Sequence, residues 1–284
     1  MSFDDHVFSS TAGIDLGGSK MLIRYRDLWL RYDTGAGFDA ARLTGILHRF
    51  LASLAQAPAA IGIAVPGLVE GGSTVAACDV LPGLVGWNAR EVLGTRLRWT
   101  LVNDAKAALH ASSSGLPADG VAATVMAGSA VGCGIVVHGR VLGGASGWAG
   151  ELGYWPLRSS GGPSLRLDEV AGGSAMAGRL GIGGRELAAR TLAGDPAACA
   201  VVAEGGRALG GALAGLVNLL NPHRLSIGGG ALRLAGYWSA AEQALREATL
   251  PALLAACELR LVHEVEDLVA LGAAQMASAL EGPA

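Results

Sequence analysis

A glycine turn close to the N-terminus holds the residues best suited to chemistry. Asp15 ends a predicted strand and is followed by a turn made of Gly17, Gly18, Ser19 and Lys20. Two adjacent glycines let the backbone approach a ligand without a Cβ in the way, and the N–H groups of such a turn can converge on an anion. A carboxylate and a hydroxyl beside that turn suit a phosphate bound together with Mg²⁺. Taken alone, the stretch 13–20 is explained equally well by an ordinary hairpin turn.

The same design recurs three times further along the chain, where predicted strands stop at glycine or at a carboxylate. The recurrences lie at 101–105, which contains Asp104, at 127–134, which contains a second Gly-Ser turn, and at 226–230, which ends in three glycines. Strands that repeatedly stop in this way predict one ligand held between two similar halves.

Phosphoryl transfer is the chemistry that these residues favour. It requires a phosphate cradle, Mg²⁺ and a base for the attacking hydroxyl. Asp104 is the candidate base, because it follows a predicted strand and stands beside Asn103, a polar side chain able to position a substrate. The alternative interpretation of Asp104 is an N-cap for the helix that begins at Ala105, and the two roles are compatible.

Other reaction classes lack their sequence signatures. The chain contains no GxxxxGK[ST] P-loop, no strand-linked GxGxxG near the N-terminus and no GxSxG nucleophile elbow. The six histidines are dispersed, which argues against a metal cluster. The four cysteines form no CxxC pair, which favours reduced thiols in a cytoplasmic protein. The net charge of −3, without a basic block, offers nucleic acid and anionic membranes no attraction.

Hydrophobic periodicity predicts an α/β protein with a repeated unit. Three strands within 12–33 precede a helix at 38–56 and buried strands at 61–65 and 99–102. The second half again starts with strands, within 121–142, before helices and strands alternate. A long loop is predicted from Gly67 to Trp87, and helices are predicted at 168–180 and 231–247. A long helix is predicted to end at Leu220, with Asp195 as its cap and Pro196 in its first turn. This order of elements favours two similar lobes.

The lobe boundary is predicted at 112–117, which is rich in serine and contains glycine and proline. It gives an N-terminal lobe at 1–115, joined by a C-terminal helix at 267–284, and a second lobe at 116–266. A ligand is expected in the cleft between two such lobes. The uncharged window 120–137 is interpreted as two buried strands around a turn rather than as a membrane span.

Six short motifs follow one another along nearly the whole chain. They are GIDLGGSK at 13–20, GIAVPGLVE at 62–70, LVNDAKAA at 101–108, GSAVGCGIV at 128–136, GWAGELGY at 147–154 and LLNPHRLSIGGG at 219–230. Each is weak alone, but in this order and at these separations the chain resembles the ROK family of sugar kinases and repressors. That family lies within the actin/hexokinase-like ATPase superfamily. The resemblance implies a two-lobed actin-like ATPase (ribonuclease H-like) α/β fold of duplicated βββαβαβα units with a central cleft.

The resemblance further implies an ATP- and Mg²⁺-dependent kinase that phosphorylates a hydroxyl, expected to be the 6-hydroxyl, of a hexose or N-acylhexosamine. Asp104 would be the catalytic base, and Asp15 would lie near Mg²⁺, through a water molecule. The residues implied in nucleotide and phosphate binding are Asp15, Gly17, Gly18, Ser19, Lys20, Gly128, Ser129, Gly132, Gly229 and Gly230. The residues implied in sugar binding are Gly67, Asn103, Asp104, Glu151, Tyr154 and Asp168.

The chain departs from the family's pattern in one region. Many ROK proteins carry a histidine where Tyr154 stands and then a cysteine-rich zinc motif, but the stretch 158–166 holds no cysteine, so no zinc is expected. The family's sugar-binding glutamate after that motif falls on Asp168, with Glu169 as the alternative. The identity of the sugar therefore stays open, as does the choice between ATP and polyphosphate as donor.

Two other interpretations stay open, namely a sugar-binding regulator of the repressor branch and a catalytically weakened homologue. That branch carries a DNA-binding helix-turn-helix ahead of the first strand, and residues 1–11 are too short for one. The expected partners are therefore a sugar and ATP, with no nucleic acid and no membrane. Family members are often dimers, so a homodimer is expected.

Overall fold

The chain folds into two compact units, each with its own hydrophobic core. The computed structural model describes residues 3–35, 37–157, 164–262 and 265–280. Unit 1 comprises Met1–Ser114, Gly143–Trp148 and Glu264–Ala284, and unit 2 comprises Gly115–Leu142 and Ala149–His263.

Unit 1 is built around a five-stranded sheet. Its strands are β1 (Thr11–Leu16), β2 (Lys20–Tyr25), β3 (Leu28–Asp33), β4 (Ala60–Val65) and β7 (Arg98–Asn103), while β5 (Leu68–Glu70) and β6 (Thr74–Ala77) form a separate ribbon. Its helices are α1 (Ala40–Ser53), α2 (Ala89–Leu93), α3 (Asp104–Ser112), α10 (Val265–Ser278) and 3-10 helices at Phe3–Ser9 and Pro82–Leu84. The sheet order is β3-β2-β1-β4-β7: two antiparallel hairpins supply β1 to β3, and β1, β4 and β7 run parallel.

Local sequence explains these elements. β4 is buried along its whole length, as a central parallel strand covered on both faces requires. Helix α1 begins at Asp39, whose Oδ1 accepts the N–H of Arg42 at 2.8 Å. Helix α10 packs directly on the sheet, because a Cβ at Gly62 would lie 1.9 Å from the carbonyl oxygen of Ala273. Glycine on the strand thus sets the distance between helix and sheet.

Unit 2 repeats the sheet of unit 1. Its strands are β8 (Val121–Ala127), β9 (Val131–Val137), β10 (Arg140–Val141), β13 (Arg224–Gly228) and β14 (Glu258–Val262), with a small ribbon of β11 (Pro156–Leu157) and β12 (Leu165–Arg166). Its helices are α4 (Leu167–Ala171), α5 (Gly173–Gly178), α6 (Gly184–Leu192), α7 (Pro196–Leu220), α8 (Tyr237–Ala248), α9 (Pro251–Ala256) and 3-10 helices at Leu152–Tyr154 and Gly230–Arg233. The order β10-β9-β8-β13-β14 has the same pattern of antiparallel hairpins followed by parallel strands. The predicted α/β class with a duplicated unit is confirmed.

The long helix α7 forms the centre of unit 2. The predicted cap is confirmed: Asp195 Oδ1 accepts the N–H groups of Ala197 and Ala198, and Pro196 occupies the first turn. Within the described part of the chain, α7 is the one helix long and apolar enough to span a membrane, but 56% of that window is buried inside the protein. It packs against α8 and α4 as a core helix.

Several predicted boundaries were wrong. The loop predicted between Gly67 and Trp87 contains the ribbon of β5 and β6, turned by Gly71 and Gly72 at positive φ. The helix predicted over 168–180 is broken at Gly172 into α4 and α5, because Gly172 lies close against neighbouring backbone. The helix predicted over 231–247 is a 3-10 turn followed by α8, and α9 was not predicted.

Candidate functional site

The first glycine turn is the three-residue loop of the β1–β2 hairpin. The N–H of Gly17 donates to the carbonyl of Lys20 at 2.8 Å and closes the turn. Ser19 is exposed at its tip, while Asp15 is half-buried near the end of β1. Thr34, just after β3, binds the turn twice: its Oγ1 donates to the carbonyl of Gly17 at 2.7 Å, and its N–H donates to that of Ser19 at 3.1 Å. The turn is therefore held from outside the hairpin.

Gly67 follows β4 and is fixed by close backbone packing. A Cβ there would lie 2.4 Å from the carbonyl oxygen of Ala77, so no other residue fits without a shift. The Nδ2 of Asn103 donates to the carbonyl of Gly67 at 3.2 Å. The end of β4 is thereby joined to the end of β7.

Asn103 and Asp104 have different positions at the start of α3. Asn103 is the N-cap, with its Oδ1 accepting the N–H groups of Ala105 at 3.0 Å and Lys106 at 3.4 Å. The interpretation of Asp104 as the N-cap was therefore wrong. Asp104 lies in the first turn, half-buried, where the helix dipole stabilises a carboxylate. Its Oδ1 accepts the N–H of Ala105 at 2.7 Å.

The sheet brings these three sites of unit 1 to one edge. β1 and β7 flank β4, all three run parallel, and the pairs Asp15↔Ala64 and Val65↔Asn103 are in register. Adjacent strands lie roughly 5 Å apart, so β1 and β7 are about 10 Å apart. Ligands of open α/β sheets bind outside the carboxyl ends of parallel strands. Asp15, Gly67 and Asp104 all lie at such an edge.

The second glycine turn is the loop of the β8–β9 hairpin in unit 2. The N–H of Gly128 donates to the carbonyl of Ala130 at 2.9 Å. Two amides at the start of α5 then hold the turn from outside: Gly173 N–H donates to the carbonyl of Gly128 at 2.8 Å, and Ser174 N–H to that of Ser129 at 3.1 Å. In both glycine turns the carbonyl of the first glycine is thus bound by a donor from outside the hairpin. Gly132 lies one residue into β9, paired with β8.

Glu151 is positioned by the glycine that precedes it. Gly150 has φ +101°, its carbonyl accepts the N–H of Cys133 at 3.0 Å, and a Cβ there would lie 1.9 Å from the carbonyl oxygen of Cys133. The exposed Glu151 follows at once. Burial, reinforced by the charge of Glu151, raises the pKa of the Cys133 thiol to about 12 and keeps it protonated at neutral pH.

Tyr154 and Asp168 flank the ribbon of β11 and β12. Tyr154 is exposed, with the guanidinium of Arg166 4.5 Å from its ring centroid. Asp168 is half-buried and contacts the second glycine turn, since its Oδ1 accepts the N–H of Val131 at 2.5 Å. Glu169 instead faces outward and caps α4, accepting the N–H of Arg166 at 2.7 Å. The stretch 158–163 of the predicted zinc-free segment lies outside the described residues.

Gly229 and Gly230 follow β13. Gly229 has φ +113°, and a Cβ there would lie 2.1 Å from the carbonyl oxygen of Ala127, the last residue before the second glycine turn. No heavy atom would lie within 4 Å of a Cβ at Gly230. Gly229 therefore ties β13 to β8, while Gly230 borders open space.

Three residues at these sites were missed by sequence reasoning. Thr34 and Gly150 brace predicted site residues through contacts that no motif records. Cys78 binds the segment after β4, with its thiol donating to the carbonyl of Pro66 at 3.2 Å. Burial raises the pKa of the Cys78 thiol, and the charges of Asp104 and Asp79 act in the same direction. Of these three residues, Gly150 alone had a signal in the sequence, namely its position directly before Glu151 in the motif at 147–154.

A duplicated sheet with a glycine turn after the first strand of each copy defines the actin-like ATPase class of α/β proteins. The ROK family model matches residues 11–279. The chain belongs to the ROK family, and both the predicted resemblance and the predicted fold class are confirmed. A search of curated proteins found no match.

Solved structures of ROK proteins are similar over nearly the full length of the chain. The ROK hexokinase from Thermus thermophilus is 29% identical, with a TM-score of 0.72 and coverage of 95% of this chain and 98% of that one. A ROK family glucokinase from Streptomyces griseus, in complex with glucose and AMPPNP, is 20% identical, with a TM-score of 0.76 and coverage of 95% and 99%. A ROK family transcriptional regulator, a homologue of the E. coli MLC protein, is 23% identical, with a TM-score of 0.73 and coverage of 94% and 78%. The last two likenesses show the fold, and sugar kinases and a regulator share it.

Proposed function

We propose that this protein is a sugar kinase that transfers the γ-phosphoryl group of ATP to a hydroxyl, the 6-hydroxyl, of a hexose or N-acylhexosamine. The observation that carries the proposal is the edge of the unit 1 sheet. There the glycine turn after β1, the Gly67–Asn103 hydrogen bond and the carboxylate of Asp104 follow three neighbouring parallel strands. A phosphate cradle and a base at one edge are the parts that phosphoryl transfer needs.

Asp104 is the general base of this proposal. Its carboxylate takes the proton of the sugar hydroxyl as that oxygen attacks the γ-phosphorus, and ADP leaves with the electron pair of the broken bond. Asn103 supports this role because it caps α3 and holds Gly67 at the same time. Because the capped helix fixes Asp104, its carboxylate is already oriented before the sugar reacts.

Mg²⁺ fits the carboxylate of Asp15. Among residues 3–35, 37–157, 164–262 and 265–280 there is no group of three or more His, Cys, Asp or Glu side chains that could hold a metal ion. Mg²⁺ needs no such protein cage, because it commonly uses one or two carboxylates, substrate phosphates and water. Asp15, half-buried beside the first glycine turn, would hold the ion through water. When bound, the ion neutralises charge on the phosphate oxygens.

Unit 2 supplies further proposed contacts. Gly128, Ser129 and Gly132 belong to the second glycine turn and are proposed to bind ATP phosphates, with Gly229 and Gly230 beside the adenosine. Glu151, Tyr154 and Asp168 are proposed to bind the sugar. The family assignment supports these roles, as does the AMPPNP and glucose complex of the Streptomyces griseus glucokinase.

A coupled ADP-release assay tests the proposal. The purified protein is offered Mg-ATP with glucose, mannose, fructose, allose, N-acetylglucosamine, N-acetylmannosamine or glucosamine, and a parallel series replaces ATP with polyphosphate and detects the sugar phosphate. Turnover with Mg-ATP on one of these sugars is expected. Binding of a sugar by calorimetry without any phosphate transfer would contradict the proposal and favour a sugar-binding regulator.

A further inference from the structure

Thr34 donates its side-chain hydroxyl to the first glycine turn from outside the hairpin. It follows β3 and is half-buried. Its backbone N–H donates to the carbonyl of Ser19 at 3.1 Å, which extends the β2–β3 ladder by one rung beyond the Lys20↔Asp33 pair. Its Oγ1 donates to the carbonyl of Gly17 at 2.7 Å. This second bond belongs to no ladder, so sheet formation alone does not account for it.

The two bonds fix the directions of amide groups in the turn. All peptide bonds described are trans, and in a trans peptide the carbonyl and the next N–H point in opposite directions. With the carbonyls of Gly17 and Ser19 directed at Thr34, the N–H groups of Gly18 and Lys20 point away from it. Backbone N–H groups of a turn that point to one side can bind an anion.

We propose that Thr34 is a positioning residue for the phosphate groups of the nucleotide, acting through the first glycine turn. This inference rests on the proposed function, since it assumes that the anion at this turn is a nucleotide phosphate. Thr34 acts through the carbonyls of Gly17 and Ser19, to which it donates. Its hydroxyl holds the Gly17 carbonyl back, so that the amide of Gly18 is already aimed before the ligand arrives and less ordering is needed on binding.

The second glycine turn supports this reading independently. There the equivalent first carbonyl, that of Gly128, accepts an N–H from Gly173 at 2.8 Å. A threonine hydroxyl in unit 1 and a helix-start amide in unit 2 thus both bind the carbonyl of the first glycine of the turn, although the first turn is closed by Gly17 N–H to Lys20 and the second by Gly128 N–H to Ala130. Because unrelated donors bind the first glycine carbonyl in both turns, we infer that the conformation of each turn depends on that hydrogen bond.

Three variants at position 34 test the inference. Thr34→Val removes the hydroxyl but keeps a branched side chain of the same shape. Thr34→Ala removes both the hydroxyl and the branch. Thr34→Ser keeps the hydroxyl. Calorimetry measures the Kd of Mg-AMPPNP for the full chain, and thermal unfolding checks that each variant is folded. Thr34→Val and Thr34→Ala are expected to weaken binding about 3- to 10-fold, the range for one lost hydrogen bond. Thr34→Ser is expected to bind within about 2-fold of the wild type.

The outcomes separate this inference from the function on which it rests. Equal Kd values for the wild type and the folded hydroxyl-free variants would overturn the role of Thr34 alone. A serine variant as weak as the valine variant would overturn it too, because the retained hydroxyl would then have no effect. A wild-type protein that does not bind Mg-AMPPNP would overturn the proposed ATP-dependent function itself, and with it the phosphate role of the turn.

Discussion

Replacing Gly150 with alanine should impair sugar use far more than it impairs folding. A Cβ at Gly150 would lie 1.9 Å from the carbonyl oxygen of Cys133, and real Cβ atoms do not approach below 3.0 Å. The segment that carries Glu151 must therefore retreat from β9. A shift of about 1 Å in a substrate-positioning group costs about 10²-fold in rate. We expect kcat/KM for the sugar to fall about 100-fold.

Gly147→Ala is the matched control for this change. Gly147 lies in the same loop at φ +81°, so alanine there suffers the same kind of backbone strain, roughly 1–2 kcal/mol. No heavy atom lies within 4 Å of its Cβ position. The control thus carries the strain without the collision, and its kcat/KM should stay within about 10-fold of the wild type.

The assay is steady-state kinetics on the sugar that the panel identifies, with thermal unfolding of all three proteins measured in parallel. The expected result is a large loss for Gly150→Ala with a cooperative unfolding transition retained. If Gly150→Ala kept the wild-type kcat/KM, or lost no more than Gly147→Ala, the placement of Glu151 by Gly150 would not matter for sugar use. The reasoning from the close contact would then be refuted.

Two further predictions concern stability. Gly210→Ala should lower the free energy of unfolding by about 1–3 kcal/mol, because its Cβ would lie 2.2 Å from a carbonyl oxygen of α8. The adjacent Gly211→Ala, in open space on the same helix, should raise the free energy of unfolding by about 0.5–1 kcal/mol. Urea denaturation measures both, and equal effects would contradict the packing argument. The hydrogen bond from Arg224 to Glu258 lowers the pKa of that carboxyl below its ordinary 4.5, so the pair stabilises the fold above that value and the contribution disappears as pH falls through the lowered pKa. Glu258→Gln should therefore lower the melting temperature at pH 7 but not at pH 2. A loss in Glu258→Gln that is the same at both pH values would exclude linkage as its cause.

Short-range patterns in the sequence were sufficient to predict most of the fold. The hairpin strands of each unit, the all-apolar β4 and the Asp195-Pro196 start of α7 were all predicted from local residue types. Their signals lie in the segment itself: alternation or continuity of apolar residues, a capping side chain and a proline at the first turn. The duplicated topology followed from the repeated order of those elements.

The errors arose where contacts distant in sequence decide the local structure. The break at Gly172 coincides with bonds to a turn distant in sequence, since the N–H groups of Gly173 and Ser174 donate to the carbonyls of Gly128 and Ser129. Asp104 was interpreted as the N-cap of α3, whereas Asn103 is the cap; both residue types cap helices well, so residue type alone does not identify the cap. The two hydrogen bonds of Thr34 join residues 15 and 17 positions apart in the chain. No local pattern contains such information.

A substitution at Asp104 tests directly whether this residue is the base of a sugar kinase. The coupled assay is run with Mg-ATP on the identified sugar for the wild type, for Asp104→Asn and for Asp119→Asn, a control with the same chemical change at an exposed turn. Asp104→Asn is expected to lose about 10²- to 10⁴-fold in kcat, with a much smaller change in sugar binding, while Asp119→Asn keeps wild-type turnover. An Asp104→Asn variant that retained most of its turnover would contradict the account.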